Sequence, residues 1–276
     1  MQNKKFKISY VQVVRHLIQL SMLFLAPAIF SIGLNGLKSL IVGLAEGSYS
    51  GLSSFIMVAL LLLIATFIFG RFFCGWLCLF GAYSELIYFI FGRFTKRLKP
   101  KLQPTEKYLR YFKYLTLAFV VILCIVGYQS VLTGTDVWDS FAMVVSGNFK
   151  NLSRVYISVI ALVIVTIFSA FFERFYCRFI CPLGALFSIV DRLKLFTIYK
   201  PNDKCGKCPI CTNNCPMGID LNKTSEVCSG ECIKCMKCTD VCPRKNTSLS
   251  VMYKRLPKWV AIIISIVILI AYFVIT

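Results

Sequence analysis

Histidine is almost absent from this chain: His16 is the single one in 276 residues. A Ser-His-Asp relay would have to be built around that one residue, so any catalysis is left to redox chemistry done by cofactors. No Gly-rich nucleotide-binding motif occurs, which leaves no site for NAD, FAD or ATP. Acidic residues are also scarce, 12 against 31 Lys and Arg, for a formal net charge of +19. A basic chain can mean nucleic acid, but no basic polar domain with a recognition element is present, and none is expected to be bound. Charged residues make up only 16% of the sequence while hydrophobic ones reach 58%, with 24 Phe. So much apolar surface exceeds what one core hides, and composition alone points to the bilayer as solvent.

The apolar residues fall in runs. The pattern predicts five membrane-spanning helices, over about Val13–Leu34, Ser53–Phe69, Tyr111–Tyr128, Val155–Phe172 and Trp259 to the C-terminus. The 71–114 segment carries many Lys and Arg, the 35–52 segment almost none. The positive-inside rule then gives a multi-pass protein of the cell's inner (cytoplasmic) membrane, N-terminus and 174–258 segment cytoplasmic, C-terminus outside, with lipid as a partner. The basic 93–113 run is expected to face anionic headgroups, or less readily to dock an acidic electron carrier. Tyr128 and Trp138 read as interfacial anchors, and Cys124 as an apolar filler.

The 14 cysteines are unevenly spread. From about Leu195 the chain turns polar. Cys205, Cys208, Cys211 and Cys215 read C-x2-C-x2-C-x3-C before Pro216. Cys232, Cys235, Cys238 and Cys242 repeat the pattern before Pro243. Neighbours this close do not staple one another, but they converge on a cofactor. This is the spacing of bacterial two-cluster ferredoxins, in which the cysteine before proline serves the other cluster. The expected ligand sets are therefore Cys205, Cys208, Cys211 and Cys242 for one [4Fe–4S] cluster, and Cys232, Cys235, Cys238 and Cys215 for the second. Structural zinc also uses C-x2-C pairs but needs neither a third cysteine nor one before proline, twice over. Cys228 is left as a spare thiol.

The chain also contains a repeat. Arg71-Phe-Phe-Cys-Gly-Trp-Leu-Cys-Leu-Phe-Gly-Ala82 aligns without gaps on Arg174-Phe-Tyr-Cys-Arg-Phe-Ile-Cys-Pro-Leu-Gly-Ala185. Each copy follows a predicted span. In each, two cysteines at i and i+4 share a helix face. A pseudo-two-fold axis would gather Cys74, Cys78, Cys177 and Cys181 into one site at the cytoplasmic membrane boundary, with Gly81 and Gly184 allowing close approach. Three readings stay open there: a third iron–sulfur centre, two redox-active thiol pairs, or inert buried thiols.

The fold expected is a mainly α integral membrane bundle of about five helices with two tandem two-helix repeats. It divides into a membrane domain over 1–195, a small cytoplasmic α+β ferredoxin-like domain over 196–253, and a last helix over 254–276. The tandem cysteine segment, the paired C-x-x-x-C motifs, Arg15-His16-x-x-Gln19 and Asp136-x-x-Asp139 together resemble the membrane-bound polyferredoxins of the NapH, NosR and CcoG type. One departure is Leu79, where that family has proline. The resemblance implies an electron-transfer component of quinol dehydrogenase type rather than a stand-alone enzyme. Quinone is a candidate cofactor, and the redox partner would be quinol-linked, flavin- or haem-bearing, or a ferredoxin or flavodoxin. The other function it implies is an accessory or regulatory role, supplying electrons for the maturation of another metalloenzyme. His16 suits a proton acceptor for quinol or, more ordinarily, an interfacial polar residue. Glu85 and Glu173 suit a proton relay or, more ordinarily, ion pairs with arginine.

Overall fold

The structure, a computed structural model, describes residues 9–25, 35–41, 43, 54–91, 108–128, 137–147, 156–191, 195–201, 205, 208–221, 226–227, 229–251 and 254–275. Cys228, Asp136 and most of the basic 93–113 run lie outside them. The helices are α1 (Tyr10–Leu25), α2 (Ser54–Phe69), α3 (Phe72–Trp76), α4 (Leu79–Phe91), α5 (Phe112–Ile125), α6 (Val137–Ser146), α7 (Tyr156–Phe171), α8 (Phe175–Phe179) and α9 (Pro182–Val190). There follow β1 (Phe196–Tyr199), α10 (Ile210–Asn213), β2 (Glu226–Val227), α11 (Lys237–Val241), β3 (Ser248–Val251), β4 (Lys254–Leu256) and α12 (Trp259–Ile275).

The five apolar runs do form helices, but short ones: 16 residues in α1, α2 and α7, 14 in α5 and 17 in α12. At a rise of about 1.5 Å per residue, even the longest falls short of ~30 Å of hydrocarbon. Among the described residues no helix is long and apolar enough to cross a membrane. That finding overturns the integral membrane bundle, its five spans and the multi-pass inner-membrane placement. The lipid partner inferred from those spans loses its basis. The physical reason is length: the apolar runs at 53–69, 155–172 and 259–276 fold as helices almost to their predicted ends, and the runs themselves are too short. Gly70, at φ 69°, follows α2 and redirects the chain into α3. Arg174, at φ 57°, stands in the turn between α7 and α8.

The two repeats exchange helices. Following the first motif, α4 packs on α7, which precedes the second; following the second, α9 packs on α2 and α5. Trp76, Phe72, Phe73, Phe80 and Phe187 are fully buried between them. Trp138, read as an interfacial anchor, is instead buried, its ring 4.5 Å from Phe80 and 5.7 Å from Tyr176. Many large apolar side chains point outward, Phe89 at 76% exposure and Val274 at 80% among them.

The polar segment builds a small antiparallel sheet of strand order β2-β1-β3-β4. Thr197 and Ser250 face each other in register and their hydroxyls lie 2.9 Å apart in the buried centre. The sheet is fastened to the helices by Phe69 at the end of α2, whose ring centroid is 5.3 Å from that of Phe196.

Candidate functional site

In each C-x2-C-x2-C-x3-C segment a short helix precedes the last cysteine, and the two helices, α10 and α11, pack against each other. Two cavities result. One is lined by Cys232, Cys235, Cys238 and Cys215, with Ile198, Met217 and Leu221 making an apolar wall. The other is lined by Cys205, Cys208, Cys211 and Cys242, with Lys200, Arg244 and Thr247 on a more polar wall. In both, the cysteine before proline stands with the triplet of the other segment. Cys215 and Cys242 reach across because Pro216 and Pro243 keep the preceding backbone out of the helical region: Cys242 sits at φ −70°, ψ 111°.

Backbone and side-chain donors surround these sulfurs. Asn246 donates its backbone N–H to Cys242 Sγ at 3.3 Å and its Nδ2 to Cys205 Sγ at 3.2 Å. Burial pushes Cys242 upward, but the N–H groups of Asn246 and Arg244 outweigh it and hold the thiol below its ordinary range. In the second cavity, Lys234 at φ 51° and Met236 at φ 62° bend the loop between the cysteines. Burial there dominates: it pushes Cys232 up to about 12 and raises Cys215 and Cys238 as well. Thiols in such a place give up their protons only to a cation among them, so the donor set fits a metal cofactor. Among the described residues, no three His, Cys, Asp or Glu gather closely enough to hold a single metal ion. A cubane asks for something wider, one thiolate at each corner, and a cavity lined by four cysteines offers that.

Cys74, Cys78, Cys177 and Cys181 are all buried. Burial pushes Cys78 and Cys181 well up and Cys177 to about 11; proximity to one another, Cys74 included, adds to this. The local geometry repeats. Cys181 Sγ accepts the Gly184 N–H at 3.3 Å, and Cys78 accepts that of Gly81. The glycines also leave room for guanidinium groups from the opposite repeat. A Cβ at Gly81 would lie 2.9 Å from Arg174 Nη1, and one at Gly184 would lie 3.0 Å from Arg71 Nη2. Such reciprocal contacts are what a two-fold relation between the repeats produces.

The ferredoxin-like loop lies directly on the first motif. A Cβ on Gly75, between Cys74 and Cys78, would collide with the Ile233 carbonyl. Trp76 Nε1 donates to Lys234 O at 3.1 Å. Helix α1 ties both down: Gln12 Nε2 and Arg15 Nη1 donate to Cys235 O at 3.0 and 3.3 Å, and Gln19 Nε2 to Gly75 O at 3.1 Å. The Arg15-His16-x-x-Gln19 element is thus a clamp whose Arg and Gln are buried, while His16 is exposed and meets Gln19 Oε1 through Nδ1 at 3.1 Å. Glu85 receives ion pairs from Arg15 and, at 2.6 Å, from Arg174, and Glu173 pairs with Lys237. Burial alone would raise Glu85, but the two guanidinium groups hold it well below the carboxylate range. Cys124 is buried in α5, away from these sites in sequence. The sequence reading did not single out Arg71, Arg174, Lys113, Glu231 or Asn246. For the two arginines a signal existed, since they open the aligned repeats.

Comparison with known proteins agrees with this chemistry. A family model described as a 4Fe-4S binding domain matches residues 50–97 and 155–198, one stretch per repeat. An uncharacterised protein of Methanocaldococcus jannaschii is 32% identical over 196 residues, 70% of this chain and 78% of that protein. A putative electron transport protein of Escherichia coli, YccM, is 28% identical over 231 residues, 78% of this chain and 60% of that protein. NirI of Paracoccus denitrificans is 30% identical over 162 residues, 58% of this chain but 23% of its own. No solved structure gives a significant match. Fold, cysteine sites and matches together define an iron–sulfur protein with a redox role. The chain belongs to the polyferredoxin family of 4Fe-4S proteins that includes NirI and NosR.

Proposed function

We propose that this chain is a ferredoxin-type electron-transfer protein with two [4Fe–4S] clusters and a third iron–sulfur centre, exchanging electrons with a redox-protein partner. One cluster is held by Cys205, Cys208, Cys211 and Cys242, the other by Cys232, Cys235, Cys238 and Cys215. Cys74, Cys78, Cys177 and Cys181 hold the third. One observation carries the reading: each cavity is lined by three cysteines of one segment and the pre-proline cysteine of the other. The match of a 4Fe-4S model to both repeats supports the third centre. The units are proposed to be 1–195, 196–253 and 254–276, the middle one carrying the ferredoxin-type pair.

What such clusters supply when bound is one-electron transfer; the residues supply position and environment. Ile198, Met217 and Leu221 keep water from one site, while Asn246 directs N–H groups at the sulfurs of the other and offsets negative charge there. A quinone near exposed His16 is the finer partner reading, tested by quinol-linked reduction of the bound clusters. An accessory or regulatory role is a second reading. It is favoured by NosR of Stutzerimonas stutzeri, named a regulatory protein, at 29% identity over 150 residues.

Crossed ligation is tested by EPR of Cys242→Ala and Cys215→Ala in the anaerobically purified chain. Cys242→Ala is expected to alter the signal of the cluster at Cys205, Cys208 and Cys211, and Cys215→Ala the other. If each variant instead lost the cluster nearest it in sequence, the crossed assignment would be wrong.

A further inference from the structure

Two pairs of buried cations flank the cysteines of the repeats. On one side Arg15 and Arg174 share Glu85. On the other Arg71 and Lys113 share Glu231, Arg71 at 3.0 Å. All four cations are 0% exposed. Around them Lys237 pairs with Glu173 and lies 3.7 Å from Glu85, Lys234 pairs with Asp191 and Lys258 with Asp240. Among the described residues, buried cations outnumber the carboxylates they share on both sides, sealed from water. Isolated buried charge is among the costliest arrangements a fold can hold, and it persists only when something answers it.

The arginines point to where the answer lies. Arg71 Nε and Nη2 and Arg174 Nη2 are buried without a hydrogen-bond partner. Each guanidinium packs into the gap left by the opposite repeat's glycine, beside the second cysteine of that motif. A Cβ at Gly184, 3.0 Å from Arg71 Nη2, would also be 3.5 Å from Cys181 Cβ.

We propose that Arg71 and Arg174 are the counter-ions of a dianionic tetrathiolate centre bound by Cys74, Cys78, Cys177 and Cys181. The proposal rests on the reading that these four cysteines hold an iron–sulfur centre. Four thiolates around an oxidised [4Fe–4S] core leave two negative charges, which answer the buried positive charge of the two guanidinium groups beside them. Four protonated thiols would leave that charge unanswered. The arginines act through the centre's charge: by opposing the extra negative charge of the reduced state they raise its potential. A zinc ion with four thiolates has the same net charge, so the metal itself has to be measured.

The experiment uses the whole chain, purified anaerobically, as wild type, Arg71→Gln, Arg174→Gln, the double glutamine variant, Arg71→Lys and Arg174→Lys. Iron, sulfide and zinc are counted, and EPR redox titrations are recorded. The signal of the cluster at Cys205, Cys208, Cys211 and Cys242 is the control for correct folding. Each single glutamine variant is expected to lower the midpoint of the repeat centre, and the double variant to lose its iron and sulfide. The lysine variants are expected to keep the iron and recover most of the midpoint. Glutamine variants with unchanged metal and midpoint would overturn the counter-ion role. So would lysine variants as damaged as the glutamine ones, since that outcome means packing alone. A wild type with no metal beyond the two ferredoxin-type clusters would instead overturn the third centre itself. Zinc that is retained by the wild type and lost from the double variant would keep the counter-ions and overturn the iron.

Discussion

Asn246 serves two sulfurs belonging to different segments, Cys242 from its backbone and Cys205 from its side chain, and is braced by Pro201 O at 2.8 Å. N–H donors offset negative charge on cluster sulfur and favour the reduced state. Asn246→Leu keeps similar bulk and the backbone donor but removes the Nδ2 donor. The midpoint of the cluster at Cys205, Cys208, Cys211 and Cys242 is expected to fall, with the second cluster unmoved, as read by EPR titration. Buried Nδ2 groups of this kind leave no trace in a single sequence. The cysteines differ: their spacing names the ligand type and even the crossed pairing, because a pre-proline residue is held extended whatever surrounds it. Arg71 and Arg174 fall between these cases. Their alignment is visible, but that they reach the opposite repeat's glycine depends on how the repeats pack.

At the scale of elements, Glu85 on α4 is the knot that joins α1 through Arg15 to the turn before α8 through Arg174. Its carboxyl is held well below 4.5, with burial opposing and Arg15 and Arg174 prevailing. A group depressed in the folded state contributes stability that is fully present above the unfolded value and is lost as pH falls through the folded one. Glu85→Gln leaves two buried arginines uncompensated and is expected to cost about 3–5 kcal/mol near neutral pH. The gap between wild type and variant should narrow as the pH is taken below about 4.5. Denaturant midpoints of the two proteins across that range check it; a gap that widened with acid would contradict the sign. Elements were only partly legible in the sequence. Apolar runs located α2, α5, α7 and α12 to within a few residues, but hydropathy does not reveal that runs of this length stop short of a bilayer.

At the scale of the molecule, the ferredoxin-like loops, helix α1 and the two repeats form one continuous site. The Cys235 carbonyl receives Gln12 and Arg15, Trp76 reaches Lys234, and Gly75 lies against Ile233. In sequence Trp76 and Lys234 lie 158 residues apart, with no sign there that the two motifs touch. That contact makes a three-centre protein the central claim. The measurement that tests it most directly is iron and acid-labile sulfide per chain in anaerobically purified, full-length protein. Iron and sulfide in equal amounts, half again what two cubanes hold, is the result expected. Zinc without sulfide, or iron and sulfide stopping at two cubanes, would contradict it.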